Sequence, residues 1–511
     1  MNKVAMNRII VTVSSLLLAS CTLAPDLVMP DTQTPEAFKE AAKAPASNEK
    51  IADGAWAPAR TDLLAGGPWW YVFNDKQLDE LIAEAKQQNP TLEAAKARLE
   101  QARARSGIAD STLFPRLDVG AGPTIGQPSA VSLGLPHGSM SKTTYTYTAS
   151  GTVSYEADLF GGNRAASNSA ELSAASAEAA YHAAMLSLEA DVAQAYYALR
   201  SLDREQEILN TTQKLREETR DLTKRSLKIG DVSELDVTRA EAELAQTKSE
   251  SLEVGRRRAE AEHNLALLLG KPPAKLNMKK NAISGVPPVV PAGVPSELLQ
   301  RRPDIQAAQK QMAAANERIG VARAAFWPVL NLTASGGFQS NQLGQLFDWS
   351  SRTWLLGPLV GTMLTAPIFD AGRNFSNLAL SKAEFQEAVA NYRQSVLVAF
   401  KEVEDQLSGL RYLKGEAEAQ AEGVRAARKA FSIAKTRYEN GYISYLEFID
   451  AQRSLLAAER GEVQVLGGRY VATVQLIRAL GGSWSTKDMQ TATPVVAPET
   501  ATVDSAKKTN P

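Results

Sequence analysis

The chain has 511 residues, 44% hydrophobic but only 6% aromatic, with one cysteine and 56 basic against 57 acidic residues. A chain of that length holds roughly two to four ordinary domains, and its alanine-rich segments favour long packed helices over one thick core. A formal charge of −1 with no Lys/Arg tract sets nucleic-acid binding aside.

Residues 1–20 read as a signal peptide: Lys3 and Arg8 supply the positive region, Ile9 to Leu18 the apolar stretch, and Ala19 and Ser20 the small residues before a cut. The apolar stretch is too short to span a membrane. The string LLASC then ends on Cys21, the only cysteine in the chain, and resembles the lipobox of bacterial lipoproteins. That resemblance implies a diacylglyceryl group on the Cys21 sulfur, a covalent lipid, with no other cofactor and no metal expected. Without residues 1–20 the net charge is −3, and with no second cysteine the fold must hold by packing alone.

The next elements are helices over 76–111 broken at Pro90, then strands over about 115–131 and 143–159. From Gly162 to Ile229 the sequence has no proline and scarcely a turn signal, which predicts one helix over 162–229. At 1.5 Å per residue that helix is on the order of 100 Å long. Gly230 punctuates it, and a return helix over 233–269 starts at Ser233, an expected N-cap.

After a linker over 271–302 the plan is rewritten. Pro90, Gly107, Pro115 and Leu117 return as Pro303, Gly320, Pro328 and Leu330, and Leu199, Arg200, Gly230, Ser233 and Gly270 return as Leu410, Arg411, Gly441, Ser444 and Gly481. The chain is therefore internally duplicated, with a first repeat over 76–270 and a second over 303–481. The period is far longer than that of a solenoid, so each copy is expected to be a whole structural half. The second copy predicts strands over about 328–340 and 352–369, a long helix over 373–440 and a return helix over 444–480. The tail, 482–511, ends in a Thr/Ala/Pro/Lys composition that predicts disorder.

The extended segments alternate. From Thr144 to Leu159 one face holds Tyr145, Tyr147, Ala149, Gly151, Val153, Tyr155, Ala157 and Leu159, and the other holds threonines, serines, Glu156 and Asp158. A soluble strand alternates over five or six residues, whereas this run suits a tilted membrane strand with its apolar side out. Such strands from one chain are too few to close a barrel, and an open edge in lipid costs several kcal/mol per unsatisfied backbone group, so the chain must oligomerise. The long helices carry heptad seams, Leu188, Val192, Ala195, Leu199 and Leu202 in the first copy, and Val389, Tyr392, Val396, Ala399, Val403, Gln406, Leu410 and Leu413 in the second. Such helices want neighbours on both flanks.

WWYVFNDKQLDELIAEAKQQNPTLEAAKARLEQARA (69–104), RRPDIQAAQKQMAAANERIGVARAAFWPVLNLTASGG (301–337) and NGYISYLEFIDAQRSLLAAE (440–459) resemble the TolC-like outer-membrane efflux proteins, specifically the lipoprotein subfamily. The resemblance runs from Cys21 to about Trp484. It implies an α+β membrane protein in which a homotrimer pools four strands per chain into a twelve-stranded outer-membrane barrel, continued by a periplasmic α-barrel of very long helices. It also implies an equatorial region built from 21–75, 271–302 and 482–490, and lipid anchorage in the outer membrane with extension into the periplasm. The implied partners are outer-membrane lipid, a periplasmic adaptor and an inner-membrane transporter. The implied function is passive export of drugs or other small toxic compounds; the outer-membrane component of a type I protein secretion system and a structural outer-membrane lipoprotein remain as alternatives.

The resemblance places a gate at the periplasmic tips, here Gly230, Asp231 and Glu234 in one turn and Gly441, Tyr442, Ile443, Ser444 and Tyr445 in the other. Relatives often carry an acidic ring after the second turn, where this chain has no carboxylate. Either the acidic constriction moves to Asp231 and Glu234, or closure is apolar through Ile443 and aromatic packing, with those carboxylates only complementing a helix N-terminus. Enzymatic readings find no support: His137, His182 and His263 lack partners at zinc-ligand spacing, and no phosphate-cradling glycine loop occurs.

Overall fold

The computed structural model describes residues 23–32, 34–41, 68–132, 134, 136, 140, 142–290, 295–357 and 363–482. The signal peptide, Cys21, His137 and the tail from 483 lie outside the described residues.

The chain forms two compact units. The described residues of one fall within Met1–Gln33, Thr91–Ala184 and Asp304–Val398, and those of the other within Thr34–Pro90, Met185–Pro303 and Ala399–Pro511. Neither unit is one repeat. Each takes matching pieces from both copies, and in the first the strands of the two copies hydrogen-bond to one another.

In the first unit α2 (Pro90–Ser111) leads into β1 (Arg116–Gly126) and β2 (Thr144–Ala157), and α3 (Gly162–Lys228) begins there. From the second copy come α6 (Pro303–Ala324), β3 (Val329–Ser340), β4 (Arg352–Leu356), β5 (Leu364–Thr365) and the start of α7 (Arg373–Glu439). The sheet runs β1-β2-β3-β4, antiparallel throughout, with β5 also on β3. Two strands differ from expectation. The first stops at Gly126 instead of 131, just before Pro128, and the fourth is β4 and β5 rather than an unbroken 352–369, with Pro367 following Thr365. Proline has no N–H to give a ladder.

The second unit holds α1 (Lys76–Gln88), most of α3, α4 (Glu234–Leu268), α5 (Pro295–Arg301), the distal run of α7, and α8 (Tyr445–Ala479). The short α5 falls inside the stretch expected as a linker; Pro295 at its first position has the φ a helix start requires. Of the expected heptad seams, Leu188, Val192, Leu199, Tyr392, Val396, Ala399, Val403 and Leu410 are buried. An aromatic knot fixes the end of this unit nearest α1: Tyr197 stacks on Tyr470 at 4.4 Å and Phe73 packs on Tyr197 at 5.3 Å.

Two arginines one repeat apart clasp the segments that lead into the copies. Arg200 donates to the Lys279 carbonyl (2.7 Å) and pairs with Asp203 (2.9 Å), which also accepts the Asn281 N–H (3.0 Å). Arg411 pairs with Glu40 (2.6 Å), while Glu404 accepts the N–H groups of Lys39 (2.7 Å) and Glu40 (2.9 Å). So the first copy holds the lead-in of the second, and the second holds the lead-in of the first.

Candidate functional site

The sheet has two chemically different faces, because directly opposed residues of an antiparallel ladder share a face. On one face Leu117, Val119, Ala121, Pro123 and Ile125 oppose Val153, Gly151, Ala149, Tyr147 and Tyr145. The same face continues with Ala157, Tyr155, Val153, Gly151 and Ala149 against Leu330, Leu332, Ala334, Gly336 and Phe338, and then with Leu356 and Trp354. On the other face Arg116, Asp118 and Thr124 oppose Ser154, Thr152 and Thr146, and Thr148, Thr152, Ser154 and Glu156 oppose Gln339, Ser335, Thr333 and Asn331. Leu355, opposite Ser335, and Val329, opposite Thr365, are exceptions.

The apolar face is bare: Val119 is 83% and Trp354 80% exposed, and Leu117, Ile125, Leu356 and Leu364 are exposed too. In water a continuous patch of this kind is an aggregation liability; in lipid it is the required outer wall. Aromatic residues mark both ends of the strands. Near the helices, Phe160 stacks on Trp327 at 4.9 Å and Phe326 meets Phe375 at 5.1 Å. At the other end Phe338 meets Phe347 at 5.6 Å, and the Arg352 guanidinium lies 3.1 Å from the Trp349 ring centre. Aromatic girdles at two interfaces are the signature of a membrane barrel. No described helix is long and apolar enough to cross a membrane. Among the described residues the outer sides of β1 and of β4 with β5 have no partner strand in the ladder.

In the second unit the duplicated helices end in matching turns. Gly230 N–H donates to the Leu227 carbonyl (3.1 Å) and Asp231 N–H to Ser226 (3.0 Å); Gly441 N–H donates to Tyr438 (3.0 Å) and Tyr442 N–H to Arg437 (2.8 Å). Both are Schellman endings. They need a left-handed residue, and the φ values of 85° at Gly230 and 75° at Gly441 supply it. The return helices then start on capping boxes: Ser233 with Asp236, and Ser444 with Glu447. Asp236 and Glu447 were not singled out in the sequence, although S-x-x-D and S-x-x-E before apolar-periodic runs are readable signals.

The candidate gate residues therefore separate by environment. Asp231, Glu234, Tyr442 and Ser444 are exposed, and Ile443 is half-buried against the tip core. Tyr445 is buried with Ala240, Phe448 and Ile449 and faces no open space. Tyr438 stacks on Phe448 at 4.9 Å and meets Tyr445 at 5.9 Å, and its hydroxyl lies 3.3 Å from that of Thr223 on α3. This cluster ties the second turn to α3 and α4. Burial, reinforced by Glu243, drives the Tyr445 phenol well above its ordinary pKa, so it stays neutral.

Behind the tips lies a charge ladder with heptad spacing. Arg453 on α8 pairs with Glu243 on α4, and seven residues on Arg460 pairs with Glu250 (3.1 Å) and with Glu205 of α3 (2.7 Å). Arg216 of α3 completes the first rung: it reaches Glu243 at 3.0 Å and donates to the Thr247 hydroxyl (2.6 Å) and the Glu243 carbonyl (2.8 Å). The side chain of Arg216 is 4% exposed and that of Arg453 54%. The repeat equivalents of Arg216, Glu243 and Arg453 are Ala427, Ser454 and Ala242, so the ladder exists in one place only.

Among the described residues no group of three or more His, Cys, Asp or Glu is placed to hold a metal. A two-faced sheet with open edges, joined to helices of this length, defines a subunit of an outer-membrane channel. The sequence profile of the outer membrane efflux proteins matches residues 81–271 and 294–482, one match per copy. The chain belongs to the outer membrane efflux protein family and resides in the outer membrane. It is 33% identical over 482 residues to the probable efflux pump outer membrane protein TtgC of Pseudomonas putida, covering 92% of this chain and 94% of the relative. It is 31% identical over 474 residues to the cation efflux system protein CusC of Escherichia coli, covering 92% and 97%. The solved Campylobacter jejuni CmeC outer membrane channel superposes with a TM-score of 0.83 at 25% identity, over 92% of this chain and 97% of that one. The solved open state of the Neisseria gonorrhoeae MtrE outer membrane channel gives 0.74 at 29% identity, over 91% and 98%.

Proposed function

We propose that three copies join β1 of one chain to β4 and β5 of the next, closing a twelve-stranded barrel with the apolar faces in lipid and the polar faces around a lumen. The assembly is the exit duct of a tripartite efflux pump. It is not an enzyme; it conducts drugs or other small toxic compounds passively, after docking to a periplasmic adaptor and an inner-membrane transporter. The observation that carries this reading is the sheet itself: one side is apolar and exposed, the other polar, and both edges are open. Only closure with further copies satisfies those edges in a bilayer. Cys21 carries the lipid that anchors each chain.

The gate is assigned to the tips, with Asp231 and Glu234 forming its charged part. Both carboxylates are exposed beside a turn, where three copies would gather negative charge in a narrow ring. Conductance of the purified trimer in planar bilayers tests this: Asp231→Ala should raise resting conductance and antibiotic leakage, and unchanged values would remove Asp231 from the gate.

A deletion strain challenged with dyes, antibiotics and metal salts tests the export reading and separates substrates, since relatives named for organic compounds and for cations are similarly close. Unchanged sensitivity together with loss of a secreted protein from the medium would favour protein secretion instead.

A further inference from the structure

β4 carries the one charge on the apolar face of the sheet. The register sets Arg352 opposite Phe338, two residues from Trp354 on the same side, and among the described strand residues every other member of that face is uncharged. The duplication provides an internal comparison. Ile125, the repeat equivalent of Phe338, opposes Tyr145, so the first copy has an amphipathic ring where the second has the arginine.

Height along the strand accounts for both residues. Eleven residues of chain lead from Trp327, at the helix end of the sheet, to Phe338. Extended, they cover about 36 Å, and a strand tilted by about 40° lifts them about 28 Å. The apolar band of a membrane barrel is about 25 Å tall, so Arg352 stands at its far edge. A charge on the lipid side is costly at the midplane but tolerated at that depth, where tyrosine and tryptophan also gather.

The guanidinium is held in place. It lies 3.1 Å from the centre of the Trp349 ring, and its Nε donates to the Trp349 carbonyl (2.9 Å). The loop beneath is tied down in turn: Ser351 Oγ donates to the Gln345 carbonyl (2.7 Å), Leu346 is buried, and Phe347 packs on Phe338. Among the described residues no carboxylate pairs with Arg352, and its two terminal nitrogens have no protein acceptor. Arg352 and Trp349 are both exposed. A planar fork with two donors to spare matches the oxygens of a phosphate.

We propose that Arg352, on its Trp349 platform, binds a phosphate group in the headgroup of an outer-leaflet lipid, one site per chain. The proposal rests on the reading that the apolar face meets lipid; with the helices on the periplasmic side, the Arg352 end of the sheet lies in the outer leaflet. The guanidinium takes the phosphate oxygens, and the exposed Trp354 and Leu356, deeper on the same face, line the path of the acyl chains. β4 borders the edge where a further copy is proposed to join, so the bound lipid covers the seam between chains.

Native mass spectrometry of the purified trimer in detergent tests the site, with lipid A as the phosphorylated glycolipid and dephosphorylated lipid A as its control. The wild type should retain up to three lipid A molecules and bind the dephosphorylated form about tenfold more weakly, the size of one lost charge-assisted contact. Arg352→Gln should erase that difference, and Arg352→Lys, which keeps the charge without the fork, should fall between. Equal retention of the two lipids by the wild type, or an undiminished preference in Arg352→Gln, overturns the site. Inorganic phosphate retained as firmly as lipid A would make it a site for a free anion and overturn the lipid. Trp354→Lys separates this proposal from the reading beneath it, since a charge there should abolish heat-stable trimers. Trimers that form normally would sink the lipid-facing sheet, whereas their loss together with a phosphate-indifferent Arg352 sinks only the phosphate site.

Discussion

Glu243 is the point at which the ladder is most exposed to perturbation, because it faces a buried arginine on one side and a solvated arginine on the other. In Glu243→Ala the guanidinium of Arg216, 4% exposed, keeps only neutral acceptors, the Thr247 hydroxyl and the residue 243 carbonyl. Breaking a buried pair costs about 3–5 kcal/mol; the retained neutral acceptors bring this site to or just below that lower bound, at about 2–3 kcal/mol. Arg453→Ala removes a half-exposed partner and should cost below about 1 kcal/mol. The assay is hydrogen exchange in the purified trimer, read on the α4 amides from 240 to 250. At 1.4 kcal/mol per factor of ten, Glu243→Ala should accelerate exchange there by roughly 30- to 140-fold and Arg453→Ala by less than about fivefold. Arg216→Leu/Glu243→Leu, which removes both charges, should return most of the protection. Equal effects of Glu243→Ala and Arg453→Ala, or a double variant no better than Glu243→Ala, would refute the claim that burial decides the weight of each rung.

Ser233→Ala and Ser444→Ala each remove one capping box and should cost about 1 kcal/mol, seen as faster exchange in the first turn of α4 or α8 alone. Val119→Lys places a charge on the lipid face, at about 2–4 kcal/mol if near the midplane, and should abolish heat-stable trimers in outer-membrane fractions, whereas Thr152→Lys on the polar face should assemble and alter ion selectivity in planar bilayers. Glu189 accepts from Trp69 Nε1 (3.0 Å) and pairs with Lys86 (2.9 Å), yet burial outweighs both and raises its carboxyl above the ordinary range. A raised carboxyl favours the protonated folded state, so its contribution is full below about pH 4.5 and fades as pH climbs through the raised value. Glu189→Gln should flatten the pH dependence of thermal unfolding in that window; an unchanged slope would remove Glu189 as its source.

The sheet faces were legible because period two survives for sixteen residues of sequence, and the register sets Tyr145, Tyr147, Ala149, Gly151 and Val153 of that apolar face against Ile125, Pro123, Ala121, Val119 and Leu117. The tip turns were legible from Gly230 and Gly441, since few other residues end a helix in that way. The capping carboxylates Asp236 and Glu447 were readable and passed over in favour of Asp231 and Glu234, which lie closer to the turn. Tyr445 stood out as a tip residue, but its position next to the N-cap turns it inward onto Phe448. The ladder was beyond reach: Glu243 lies 27 residues from Arg216 and 210 from Arg453, on helices where charges occur every few positions.

The reciprocal clasp of Arg200 and Arg411 makes the two copies hard to separate. A chain cut between them would yield halves that each bear a ready arginine and present a lead-in to be held, yet neither half could hold its own. Supplied together, the halves could exchange grips and rebuild the unit without a covalent link. The same exchange would let identical single copies hand their lead-ins round a ring, so the contact that now binds one chain to itself is the kind on which an unduplicated ancestor could have assembled.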